Sequence, residues 1–266
     1  MNRIETSFNT LKNKKEKALV GFVSAGDPSY ELSLKLIKKM IEGGLDILEL
    51  GVPFSDPTAD GPVIQRSSAR ALQGGVTLGR VLDMTAAIRE VTEIPIIIFS
   101  YYNPILSFGV EKFYEKAVAA GADGVLIVDL PPEESDEMTG RWPGNALSLI
   151  RLIAPTTPVS RMKTIAEGAS GFLYMVSKTG VTGSDGLDTA AIGTYVQRLR
   201  SVTPLPICVG FGVSTPDDVR AISKVADGIV IGSAFERLIE SHLDDPGLPG
   251  QMGEQTRLYK NATRSE

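Results

Sequence analysis

Gly44-Leu45-Asp46-Ile47-Leu48-Glu49-Leu50-Gly51 reads as the end of a helix followed by a complete short strand. Before it, Leu32, Leu34, Ile37 and Met40 mark the apolar face of a helix over residues 30–42, which Gly43 and Gly44 stop. Within it, apolar side chains occupy both odd and even positions, the pattern of a strand covered on both faces in a parallel sheet. The unit recurs. Gly121-Ala122-Asp123-Gly124-Val125-Leu126-Ile127-Val128 and Ala226-Asp227-Gly228-Ile229-Val230-Ile231 each close a helix and open a strand in the same way.

Working outward, apolar runs at residues 19–23, 47–50, 96–100, 125–128, 147–153, 172–176, 207–209 and 229–231 make eight strands. Helical patterns lie between most of them, at 78–91, 110–120, 192–202 and 216–225. Eight alternating units in 266 residues predict a closed (β/α)8 barrel, a TIM barrel, forming a single domain over 1–266. Ile4, Phe8 and Leu11 predict a leading amphipathic helix over about 3–14. An extra helical stretch is expected over 63–72. The unit after strand four is expected to be short, because Gly140, Trp142, Pro143 and Gly144 break its helix. Beyond about residue 241, Pro246, Pro249 and several glycines predict a poorly ordered tail, with helix only over about 254–261.

A hydrophobic content of 42% supports a large core, and a net charge of −5 argues against a general nucleic-acid surface. The basic cluster over 12–17 reads as the solvated end of the first helix. The N-terminus is polar and no run of eighteen apolar residues occurs, so a cytoplasmic location is expected. One cysteine, Cys208, allows no internal disulfide, and the one histidine, His242, sits among acidic and proline residues far from any strand. Acid–base work therefore falls to carboxylates, tyrosines or lysines, and no metal site is expected.

Glu49 interrupts an apolar run at the C-terminal end of a strand, where barrel active sites lie. An unpartnered carboxylate is costly to bury, so a rim salt bridge and a catalytic role are the competing explanations, and the setting favours the second. The loop that follows, Val52-Pro53-Phe54-Ser55-Asp56-Pro57-Thr58-Ala59-Asp60-Gly61-Pro62, holds three prolines and a further candidate, Asp60. A second constellation suits phosphate: Gly180-Val181-Thr182-Gly183, Gly210-Phe211-Gly212 and Gly232-Ser233 follow the last three strands. One glycine turn would be weak evidence; three successive loops are stronger.

Phe54-Ser55-Asp56-Pro57, Ala59-Asp60-Gly61-Pro62, Tyr102-Asn103-Pro104, Gly180-Val181-Thr182-Gly183 and Gly210-Phe211-Gly212 together resemble the tryptophan synthase alpha chain family, over about residues 2–240. The resemblance implies a lyase that cleaves indole-3-glycerol phosphate into indole and glyceraldehyde 3-phosphate. It implies Glu49 and Asp60 as catalytic residues. It places Phe22, Tyr101, Tyr174, Thr182, Gly183, Phe211, Gly212, Gly232 and Ser233 at the substrate, with Thr182 and Gly183 on a mobile loop over 178–187. It further implies a beta chain as partner in an alpha2beta2 heterotetramer, docked through Pro53 and Asp56. The chain itself needs no cofactor on this reading, pyridoxal phosphate belonging to the beta chain. The alternatives are a sugar-phosphate isomerase or epimerase, a stand-alone lyase, and a scaffold without catalysis. The Asp56 to Asp60 loop speaks against the first, and intact Glu49 and Asp60 against the last.

Overall fold

The strand-start aspartate of the repeated unit turns its carboxylate onto the strand before it. Asp46 Oδ2 accepts from the Leu19 amide at 2.7 Å, Asp123 Oδ2 from Ile96 at 2.9 Å and Asp227 Oδ2 from Ile207 at 3.0 Å. Each also takes a cation: Lys260 at 2.8 Å, Arg89 at 2.7 Å and Arg200 at 2.9 Å. The recurrence is therefore structural. It stitches neighbouring strands together at their N-terminal ends, opposite the end where barrel active sites lie.

The structure is a computed structural model that describes residues 2–176, 188–210 and 212–264. In chain order its elements are α1 (Arg3–Lys14), β1 (Ala18–Ser24), α2 (Tyr30–Glu42), β2 (Ile47–Gly51), α3 (Pro62–Gln73), α4 (Leu78–Arg89), β3 (Ile96–Ser100), α5 (Tyr102–Phe108), α6 (Val110–Ala119) and β4 (Gly124–Ile127). They continue with α7 (Ser135–Thr139), β5 (Ser148–Ile153), α8 (Val159–Glu167), β6 (Leu173–Val176), α9 (Thr189–Arg200), β7 (Ile207–Gly210), α10 (Pro216–Ser223), β8 (Gly228–Ile231), α11 (Ser233–Ser241) and α12 (Leu248–Ala262). The eight strands are all parallel and close in sequence order, β8 returning to β1, which is the predicted TIM barrel.

Two-residue alternation sorts each strand into an inner and an outer set. Val20, Ile47, Ile97, Leu126, Ile150, Tyr174, Cys208 and Val230 pack inside the barrel, and α1 closes its floor with Ile4 and Leu11. Leu48, Leu50, Val125, Ile153 and Val209 face the helices in the second, larger core.

The tail departs from expectation. Instead of a loose end, α12 packs along α2 and buries Leu248, Met252, Thr256, Tyr259 and Lys260. One of its glycines, Gly253, serves close approach: a Cβ on Gly43 would lie 2.5 Å from the Gly253 carbonyl oxygen. The Lys260 ammonium is held by Asp46 and by Glu16 at 2.9 Å, fastening the chain end to the barrel floor. The wall after β4 is short as predicted, α7 having five residues, and Trp142 fills the gap against Tyr114 at a ring separation of 5.2 Å. Helices α5 and α8 were not legible in the sequence pattern.

Candidate active site

Alternation on β2 decides where Glu49 points. Ile47 belongs to the inner set, so Glu49, two residues on, also faces the barrel interior, while Leu48 and Leu50 face the helices. Its register partners are Phe22 on β1 and Ile97 on β3. The side chain is wholly buried, and among the described residues neither carboxylate oxygen has a hydrogen-bond partner. Burial, with nothing to offset it, pushes the carboxyl up to about 8. The surroundings that desolvate it are the barrel interior rather than the adjacent leucines. A group so placed holds a proton near neutrality and can deliver it into the barrel mouth.

The loop after β2 brings Asp60 to the same mouth. Phe54 is pinned at both ends of its peptide unit by Ser68 on α3, whose hydroxyl accepts from the Phe54 amide at 2.8 Å and donates to its carbonyl at 3.0 Å. The Tyr101 hydroxyl accepts from the Ala59 amide at 2.9 Å and donates to Asp60 Oδ2 at 3.1 Å. Burial raises the Asp60 carboxyl to about 6, with the Tyr101 hydrogen bond acting in the opposite direction. Tyr101 is held well above the ordinary phenol range by burial and by Asp60, so it stays a donor. Phe22, Pro53, Phe54, Phe99, Asp60 and Tyr101 line one narrow cleft, with Phe22 and Phe99 edge to face at 5.0 Å. Tyr174, buried on β6, feels the charges of both Glu49 and Asp60, which places its hydroxyl within electrostatic reach of the two carboxylates.

Two corrections concern the loop and the cleft. Pro53, expected to face outward, is buried in the cleft wall; Asp56 is exposed. Phe99 was missed, although the inner-facing series Ile97, Phe99, Tyr101 could have disclosed it through the two-residue period. A larger cavity of about 440 Å³ opens at the ends of β4 and β5, where pairing stops at Leu126 and Ile150; the inner-facing Val128 and Leu152 line it together with Arg151 from the outer face.

Across the mouth from Asp60, β7 ends at Gly210 and β8 at Ile231. A Cβ on Gly210 would fall 2.2 Å from the Tyr174 hydroxyl, so a side chain there would displace that tyrosine. Gly212 adopts φ 80°. Gly232 precedes α11, whose N-terminal end has no side-chain cap among the described residues, so its leading amides can receive an anion. Ser233, the first residue of that helix, is half-buried. Thr182, Gly183, Phe211 and the loop over 178–187 lie outside the described residues.

The family model for the tryptophan synthase alpha chain matches residues 8–262. The chain belongs to that family. It is 60% identical to the tryptophan synthase alpha chain of Desulfatibacillum aliphaticivorans, covering 99% of this chain and 100% of that one. It is 62% identical to the alpha chain of Desulfosudis oleivorans, with the same coverage. Among solved structures, tryptophan synthase subunit alpha from Legionella pneumophila superposes with a TM-score of 0.90 at 38% identity, covering 99% of this chain and 98% of that one. Tryptophan synthase from M. tuberculosis in its aminoacrylate-bound form gives 0.89 at 30% identity, covering 99% and 100%. As a tryptophan synthase alpha chain, the protein is a carbon–carbon lyase acting on indole-3-glycerol phosphate.

Proposed function

We propose that Glu49 is the proton donor and acceptor of this cleavage and Asp60 the carboxylate that stabilises the charged ring. The observation that carries this reading is the pairing of environments: one wholly buried, partnerless carboxyl held up to about 8, and one tyrosine-bound carboxyl at about 6. Two carboxyls whose environments push them apart divide acid from base. Protonated Glu49 delivers its proton to indole C3, which turns the ring into an indolenine cation. Ionised Asp60 accepts a hydrogen bond from the indole N–H as positive charge grows there. Glu49, now a carboxylate, takes the proton from the hydroxyl on the neighbouring chain carbon. The C3–carbon bond breaks and its electron pair restores the aromatic ring, while the pair of the broken O–H bond forms the C=O bond of the aldehyde. One proton enters and one leaves, so no further reactant is needed. Phe22, Phe99 and Tyr101 offer flat apolar walls for the ring, and Gly212, Gly232 and Ser233 receive the phosphate.

The sign of the pH dependence follows directly. Activity needs Asp60 ionised, hence a pH above about 6, and Glu49 protonated, hence a pH below about 8. The profile of kcat/KM is expected to be bell-shaped between those values. A flat profile from pH 5 to 9 would remove these two groups from the roles given.

The same reading places the chain in a cytoplasmic alpha2beta2 assembly with a beta chain that holds pyridoxal phosphate, to which indole is handed on. Asp56 is exposed on the loop that also carries Asp60, so docking there can set the position of Asp60. Indole release from indole-3-glycerol phosphate, measured with the chain alone and with a beta chain added, tests this. Turnover should rise on addition, and Asp56→Ala should blunt the rise more than it lowers basal turnover. Full activity alone, unchanged by any beta chain, would favour a stand-alone lyase.

A further inference from the structure

One buried carboxyl plays no part in the chemistry above. Glu236 lies in the first turn of α11, its amide bonded to the Gly232 carbonyl at 3.2 Å, and its side chain is wholly buried. Oε1 accepts from the Ser24 amide at 2.6 Å, at the end of β1 two residues beyond Phe22. Oε2 is buried and, as an acceptor only, has no partner among the described residues. Its neighbour is Asp27, also buried, whose two oxygens are both occupied by Arg70 of α3, at 2.7 and 2.8 Å. Two neighbouring buried carboxylates, with the nearby guanidinium committed to Asp27 and Glu240, cannot both be charged at low cost.

We propose that Glu236 is a positioning residue held as a neutral carboxylic acid, donating its proton from Oε2 to Asp27, so that α11 keeps its N-terminal end free for the substrate phosphate. The protonated form resolves the orphaned oxygen, because Oε2–H becomes a donor beside an acceptor. Burial first, and then the charge of Asp27, push this carboxyl well above the ordinary range, while the Ser24 amide and Arg70 act the other way. Ionised, it would compete with the phosphate for the positive end of the same helix. Among the described residues, the charged groups around the pair are Asp27 itself from the loop after β1, Arg70 and Arg66 from α3, and Glu240 one turn further along α11. Arg66 binds Glu240 at 2.6 and 2.7 Å, and Arg70 reaches it at 3.1 Å. The Ser24 and Ser67 hydroxyls, 2.7 Å apart, complete the tie. Because α3 starts two residues after Asp60, the cluster joins the phosphate end of the site to the loop that carries the catalytic carboxylate.

The inference rests on the phosphate reading given above, and its test separates the two. The affinity for glycerol 3-phosphate is measured by calorimetry, with KM and kcat followed in parallel. Glu236→Leu is expected to weaken binding and raise KM about tenfold, the size of a helix-end interaction, with kcat falling much less. Glu236→Gln, neutral and still a donor and acceptor, should restore the affinity. In a Glu49→Gln background, the infrared carbonyl band of a protonated carboxylic acid should be present at neutral pH and vanish when Glu236→Gln is added. Absence of that band overturns the proposal, as does binding that Glu236→Leu leaves intact. If the wild-type chain binds no glycerol 3-phosphate while the Glu49→Gln variant shows the band, the phosphate reading is overturned and the role assigned to α11 goes with it.

Discussion

Replacing Glu49 with glutamine is expected to lower kcat for indole release by about 10²–10⁴-fold, the range of a lost general acid–base group, while leaving the barrel folded. Glutamine has nearly the same volume and fills the same inward position on β2, so the packing around Phe22 and Ile97 is kept. What it loses is the proton. Asp60→Asn is expected to fall as steeply in turnover, since an amide cannot offset the charge on the indole ring, yet Tyr101 can still donate to its oxygen. Steady-state kinetics with circular dichroism and a melting curve check both. Wild-type turnover by Glu49→Gln at a normal melting temperature would show that the proton comes from elsewhere.

The same substitution is expected to stabilise the protein in alkali. The folded-state carboxyl of Glu49 sits at about 8 against an ordinary value of 4.5, so the folded protein binds this proton more tightly than the unfolded chain. Below the ordinary value both states carry the proton and the group costs nothing through titration. As pH rises from there through about 8, stability is progressively lost, because folding then requires either the uptake of a proton or a buried charge. At full ionisation the loss approaches about 5 kcal/mol, taking about 1.4 kcal/mol per unit. Glutamine does not titrate. Denaturant midpoints of wild type and Glu49→Gln, compared between pH 5 and 9, should therefore diverge in favour of the variant as pH rises. Glu236 and Asp60 titrate in both proteins, so the difference isolates Glu49. Parallel curves would mean that water or an unrecognised partner solvates the carboxylate in the folded state.

A trade of stability for chemistry of this kind is visible at the level of single residues. Glu49 is the one carboxylate on the strands that no cation or amide offsets among the described residues, whereas Asp46, Asp123 and Asp227 at the other end of the barrel are each tied to an amide and a cation. Glu49 is left an orphan, while each of the three floor aspartates is partnered. A barrel can carry that cost because the strand floor, α1 and the α2–α12 contact supply the packing.

The amino-acid sequence by itself determined the architecture, since an eightfold alternation of doubly apolar runs and helical stretches admits few arrangements other than a closed parallel barrel. It also singled out Glu49 and the Asp60 loop, because a charge inside an apolar run breaks a local rule that is visible without coordinates. The three-dimensional structure alone decided matters that depend on residues far apart in the chain. Pro53 turned inward because Phe54 is anchored by Ser68, fourteen positions away. Gly253 became part of a helix interface because α2, some two hundred residues earlier, ends at Gly43 against it. Glu236, an unremarkable residue on an amphipathic helix when read locally, became a shared-proton partner of Asp27 only when β8 closed against β1. The physical reason is the same in each case: periodicity and turn chemistry act over a few residues and are written in the sequence, whereas desolvation and hydrogen-bond partners are set by whichever distant surface the closed barrel brings into contact.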